Sequence, residues 1–179
     1  SKTLGIILIL ILISGIGISK GLNIWHTEST KVPAVYKEGE YEGEYNPADI
    51  RGSYTFEDID KAFNISHEII GKAFGLENLE DVSLIKVKDL ENIYGEIESG
   101  KEIGTSSVRY FVALYKELPY EIIEEVYLPE EAVTILLNEN VLNDEQEEYL
   151  RQHIVDISNV NLNIEISNEE PEENNEKLV

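Results

Sequence analysis

Close to its start the chain holds a long, mostly apolar run that no charge interrupts. Leu4 to Ser19 reads LGIILILILISGIGIS, 16 residues without a charge, between Lys2 and Lys20. At about 1.5 Å of rise per residue, such a helix is shorter than the ~20 residues that cross a bilayer. Lys20 can snorkel toward the headgroups, the next residues GLNIW are mostly apolar, and Trp25 falls where an interfacial aromatic sits. The pattern predicts one N-terminal transmembrane helix, a membrane anchor over 1–25. Two alternatives stand beside it. A cleaved signal peptide has an apolar core of this length, but Gly15-Ile16-Gly17 and Gly17-Ile18-Ser19 are poor small-x-small sites. A buried helix is the other, although so long an apolar run is hard to house in a small domain. Lys2 favours the N-terminus inside and Lys20 and Lys31 pull the other way. A single-pass topology with the body outside the cytoplasm is expected.

Residues 26–54 show no clear period. Pro33, Pro47 and the stutter Gly39-Glu40-Tyr41-Glu42-Gly43-Glu44-Tyr45 predict an extended linker. From 55 to 167 a helical globular domain is expected. Thr55-Phe-Glu-Asp58 has the form of a capping box, with Asp in place of the usual Glu. Phe56, Ile59 and Phe63 then share a helix face. Asn64-Ile65-Ser66 turns the chain, Ser66 caps a second helix bearing Ile69, Ile70, Ala73 and Phe74, and Gly75 fits its C′ position.

Leu84 to Val87 reads as a brief strand or loop, and Lys88 to Ile97 as a helix. Thr105 or Ser106 is positioned to cap a helix over 106–117. Val108, Phe111, Val112 and Tyr115 form one face of it, while Tyr110, Leu114 and Leu118 cover much of the other. A helix apolar nearly all round belongs at the centre. Pro129 sits at a first-turn position of the next helix, whose Val133, Leu136 and Leu137 face inward. Asn143 caps Asp144 to Ile154. Val160, Leu162, Ile164 and Ile166 alternate with polar residues and predict a strand or arm. Residues 168–179, rich in Glu, read as an acidic disordered tail. The predicted fold class is mainly α, a small domain of about five to six short helices with minor β.

Composition narrows the chemistry. The 179 residues hold 36 acidic and 14 basic side chains, a formal charge of −22. That balance argues against phosphate neutralisation, so no nucleic acid is expected as a partner. The paired helices at 55–75 resemble a helix-turn-helix in spacing, but Glu57, Asp58, Asp60 and Glu68 outnumber Lys61 and Lys72. Cysteine is absent, which removes disulfides, thiolate metal sites and cysteine nucleophiles. His26, His67 and His153 show no helical pairing for a metal, and Asp58-Ile-Asp60 lacks the glycine and distal glutamate of a calcium loop. Gly104-Thr-Ser106-Ser107 is no nucleophile elbow. No cofactor and no catalytic residue are expected, and the chain reads as a non-enzyme.

Four residues are candidates for a structural or interaction role: Asp49, Arg51, Arg109 and Tyr127. Arg109 lies inside the most apolar helix, where a guanidinium must be paired. A salt bridge, a carbonyl clamp, or an anionic group of a ligand or partner would each meet that need. Asp49 is placed to brace the start of the domain through Arg51 or a backbone amide. Tyr127 stands between Glu124-Glu125 and Glu130-Glu131, an acidic stretch able to attract cations loosely.

Two segments carry a resemblance: Tyr45-Asn-Pro-Ala-Asp-Ile-Arg-Gly-Ser-Tyr-Thr-Phe-Glu-Asp-Ile59 and Gly104-Thr-Ser-Ser-Val-Arg-Tyr-Phe-Val-Ala-Leu-Tyr115. They look like segments of small membrane-anchored proteins of anaerobic bacteria. Similar helical modules occur beside membrane ferredoxin-type and flavin-linked electron-transfer proteins. The resemblance spans roughly 45–138 and rests on no catalytic signature. It implies an accessory or scaffolding role near such a complex, and without cysteine this chain holds no cluster by thiolates itself. The expected function is a membrane-anchored extracytoplasmic interaction or accessory subunit, with a membrane protein as partner and lipid around the N-terminal helix. The alternative is a small-ligand or cation-binding module that uses the acidic face or the Arg109 region.

Overall fold

The computed structural model describes residues 31–95, 97, 100–158 and 160. The expected anchor at 1–25, the arm beyond Val160 and the tail at 168–179 lie outside the described residues. The chain divides into Ser1–Lys31 and Val32–Val179, and every described helix and strand belongs to the second unit. It is mainly helical with little strand.

Thr55 starts the first helix as its residue pattern predicts. In α1 (Phe56–Phe63) the Thr55 hydroxyl takes the Asp58 amide and the Asp58 carboxylate takes the Thr55 amide, a complete capping box. Asn64 closes α1 in the left-handed region, and Ser66 caps α2 (His67–Ala73) through the Ile69 amide. Gly75 follows the C-cap Phe74 with φ +65°, where a C′ glycine belongs. Helix α3 (Asp89–Tyr94) is shorter than the predicted 88–97, because Gly95 turns the chain out at φ +58°.

Helix α4 (Thr105–Tyr115) is the central one. Val108, Tyr110, Phe111, Val112, Ala113 and Leu114 are all buried. Its Phe111 ring meets Phe74 edge-on at 5.9 Å, and Phe74 in turn lies 6.4 Å from Phe56, so three helices share one aromatic contact line. Neither Thr105 nor Ser106 is the cap. The N-cap is Gly104, whose amide donates to the Ser107 hydroxyl at 3.3 Å. Its lack of a Cβ admits a neighbour, since a Cβ there would lie 2.7 Å from a Glu91 carboxylate oxygen.

Helix α5 (Glu130–Glu139) follows β1 (Leu128–Pro129), and Pro129 is its N-cap, one position earlier than the pattern suggests. Helix α6 (Asp144–Gln152) carries the predicted Asn143 cap and leads into β2 (Ile154–Val155), which pairs with β1 in parallel. Two-residue strands this far apart leave no period to read.

The predicted linker needs correcting where it is described. Val35 faces Tyr45 across an antiparallel bridge, with Tyr36 N donating to Glu44 O at 2.9 Å and Asn46 N to Ala34 O at 2.8 Å. Gly39 and Gly43 supply the φ values of +92° and +90° that this turn demands. Pro47–Asp49 forms a 3-10 turn, and Ile50 and Tyr54 are buried in the core at 0% and 2% exposure. The stutter of Tyr, Glu and Gly is a hairpin laid on the domain, and Tyr36 OH fastens it by donating to Pro119 O at 2.8 Å.

Candidate functional site

Residues 45–59 and 104–115 meet at Arg109. This side chain leaves α4 half-buried, and its Nε donates to the backbone carbonyl of Ile50 at 2.7 Å. The carbonyl clamp is therefore the arrangement found. It ties the central helix to the strand-like stretch that feeds α1. Next to it, Asp49 Oδ2 accepts the Ala34 amide at 2.7 Å, and Asp49 Oδ1 lies 3.9 Å from Arg51. The amide is the firmer of these two contacts, because Arg51 is exposed and an exposed pair at that distance contributes ~1 kcal/mol or less. Asp49 thus ties Ala34, at the foot of the hairpin, to the 3-10 turn. Asp49, Arg51 and Arg109 gather around the backbone of residues 49–51; Tyr127 belongs to another place.

Tyr127 lies on the border of a cleft of about 390 Å³. Glu91, Glu102, Glu124 and Glu125 line it together with the N-terminal turn of α4, residues 104–107. Tyr127 OH donates to Glu125 Oε2 at 2.7 Å, and the Lys101 ammonium stands 5.5 Å from the centre of the Tyr127 ring. A tyrosine face attracts a cation at this distance. The Thr105 amide points at Glu91 Oε1 over 3.5 Å, so the positive end of the α4 dipole already has a carboxylate. Among the described residues no three His, Asp or Glu side chains converge to hold a metal ion.

Behind the cleft, aromatic rings fix the chain that forms its wall. Tyr149 stacks on His153 at 3.9 Å with planes 8° apart, and its hydroxyl accepts the Val126 amide at 3.0 Å. Tyr110 packs edge-on against Tyr149, and burial, with Tyr149 beside it, pushes the Tyr110 hydroxyl up to about 12. Burial also raises Tyr120, against the lowering pull of Arg109. The two described histidines serve the fold. His153 Nδ1 lies 2.7 Å from Tyr149 O, and His67 spans Asp60 at 2.9 Å and Glu68 at 3.1 Å.

Between these fixed points runs the segment 119–126. Pro119 O is held by Tyr36, the Tyr120 ring lies 5.7 Å from Tyr110, Ile122 packs partly against the core, and Val126 is buried. Ile123 alone of its apolar residues points outward, 89% exposed, among the exposed Glu121, Glu124 and Glu125. Its pattern, one isoleucine too many in Glu-Ile-Ile-Glu-Glu, was the only sequence signal for it. No protein-family model matches the chain, and neither a curated protein nor a solved structure matches it. Among the described residues no helix is long and apolar enough to cross a membrane.

Proposed function

We propose that the protein is a non-catalytic accessory subunit, held at a membrane by its apolar N-terminal segment and working by contact with a membrane protein. Arg109 is the observation that carries this reading. The most conspicuous charged group of the central helix spends its Nε–H on the Ile50 carbonyl, so it organises the fold. A guanidinium waiting for a small anion would instead face a pocket. The apolar run Leu4–Ser19 supports the membrane part, and the resemblance of residues 45–59 and 104–115 supports a place beside an electron-transfer assembly.

A second reading, a module for a small cationic ligand, has one observation in its favour: the cleft lined by four glutamates and Tyr127. The deciding experiment is purification of the full chain from detergent-solubilised membranes of its source. A stoichiometric membrane partner is expected. Recovery of a lone monomer, or extraction of the chain by alkaline carbonate without detergent, overturns the accessory reading.

A further inference from the structure

We infer that the segment from Tyr120 to Val126 is a docking loop that inserts Ile123 into an apolar pocket rimmed by Lys and Arg on a protein partner. The inference rests on the contact reading above and names the chemistry of the contact. An isolated exposed isoleucine is ordinary on a protein surface. Three features set this one apart. It is 89% exposed while Ile122 beside it packs against the core and Val126 is buried. Its loop is fixed at both ends, by the Tyr36 hydroxyl on Pro119 and by the Val126 amide on Tyr149. A side chain presented on a fixed loop loses little freedom on docking. Finally, exposed Glu121, Glu124 and Glu125 surround it, and Glu124 and Glu125 continue into the cleft wall.

That arrangement is an apolar centre with a charged rim, the layout in which one buried side chain supplies most of the affinity. The rim is of one sign, and the chain carries −22 overall, so its field draws in a basic surface and speeds the encounter. The Tyr127 face, over which Lys101 already stands, shows how an ammonium fits beside the loop.

The test uses the full-length protein and two probes, an amphipathic peptide of repeated Leu-Lys-Lys-Leu and a plain octalysine. The amphipathic peptide is expected to shift the amide resonances of residues 120–127. Ile123→Ser is expected to weaken it about tenfold while the thermal melt stays unchanged, and Glu124→Gln with Glu125→Gln to weaken it and flatten its salt dependence. The inference is overturned if Ile123→Ser binds as tightly as the parent, if octalysine binds as well as the amphipathic peptide, or if the shifts fall elsewhere. Binding of the loop to phosphatidylcholine vesicles that disappears in Ile123→Ser also overturns it, in favour of lipid. In the membrane purification, a complex that survives Ile123→Ser overturns this inference and leaves the contact reading standing. Failure to recover any complex strikes the contact reading itself.

Discussion

Arg109 and Ile123 are each out of character with their surroundings. The first is a cation on the most apolar helix; the second is an isoleucine in an acidic loop. The fold answers the first, because the Ile50 carbonyl lies 2.7 Å from Nε and accepts its hydrogen bond. It leaves the second unanswered, for Ile123 stays 89% exposed. The lesson is that a misfit met within the chain is architecture, whereas an isoleucine left facing solvent is accounted for by no contact of the described fold.

Several changes would break or sharpen this contrast. The largest effect is expected at Phe111, fully buried at the centre of α4. Phe111→Ala should cost about 3–5 kcal/mol in urea unfolding. A loss below 1 kcal/mol would mean that α4 is not central, and Arg109 would then not be misplaced at all.

Alkaline pH should act next, through rings in the same helix layer. Burial raises the Tyr110 hydroxyl from 10.0 to about 12, and it raises Tyr94 still further. A raised value means the folded state holds the proton more tightly than the unfolded chain. Stability from Tyr110 is complete below pH 10.0 and is lost as pH climbs through about 12, and that from Tyr94 is lost only above that window. The melting temperature should therefore fall across that window, and Tyr110→Phe should blunt the fall.

Arg109→Met keeps the unbranched stem and removes the guanidinium with its donor. It should cost about 1.5–3 kcal/mol, the usual loss for a hydrogen bond to a charged group. A variant as stable as the parent would return Arg109 to the class of ligand-facing residues. Thr55→Ala removes one half of the capping box at the start of α1 and should cost about 1 kcal/mol. At the far end of the scale, Ile123→Ser should change stability by less than about 0.5 kcal/mol, since almost none of the side chain is buried. A larger loss would show that Ile123 has a partner within its own chain.

Much of the helical order was legible because its signals are local. Thr55 with Asp58, Ser66 with Ile69 and Asn143 with Gln146 each lie three residues apart, and each is a cap in the structure. The apolar face of α4 was legible for the same reason. The hairpin at 35–45 was not. Its composition suggests a spacer, and the bond that fastens it joins Tyr36 to Pro119, 83 residues away. Arg109 showed that it needed a partner but not which one, since Ile50 is 59 residues distant and contributes only a backbone oxygen. Backbone acceptors leave no mark in the identity of a residue. The parallel pairing of Leu128–Pro129 with Ile154–Val155 was hidden too, because two residues are too few to show alternation.

The hydroxyl of Tyr36 has a mechanical consequence. Within the second unit the hairpin precedes every described helix in the chain. Its Tyr36 hydroxyl holds Pro119, the base of the acidic loop. The base of the loop that carries Ile123 is thus held by a ring from the hairpin, so loosening the hairpin would loosen the loop as well.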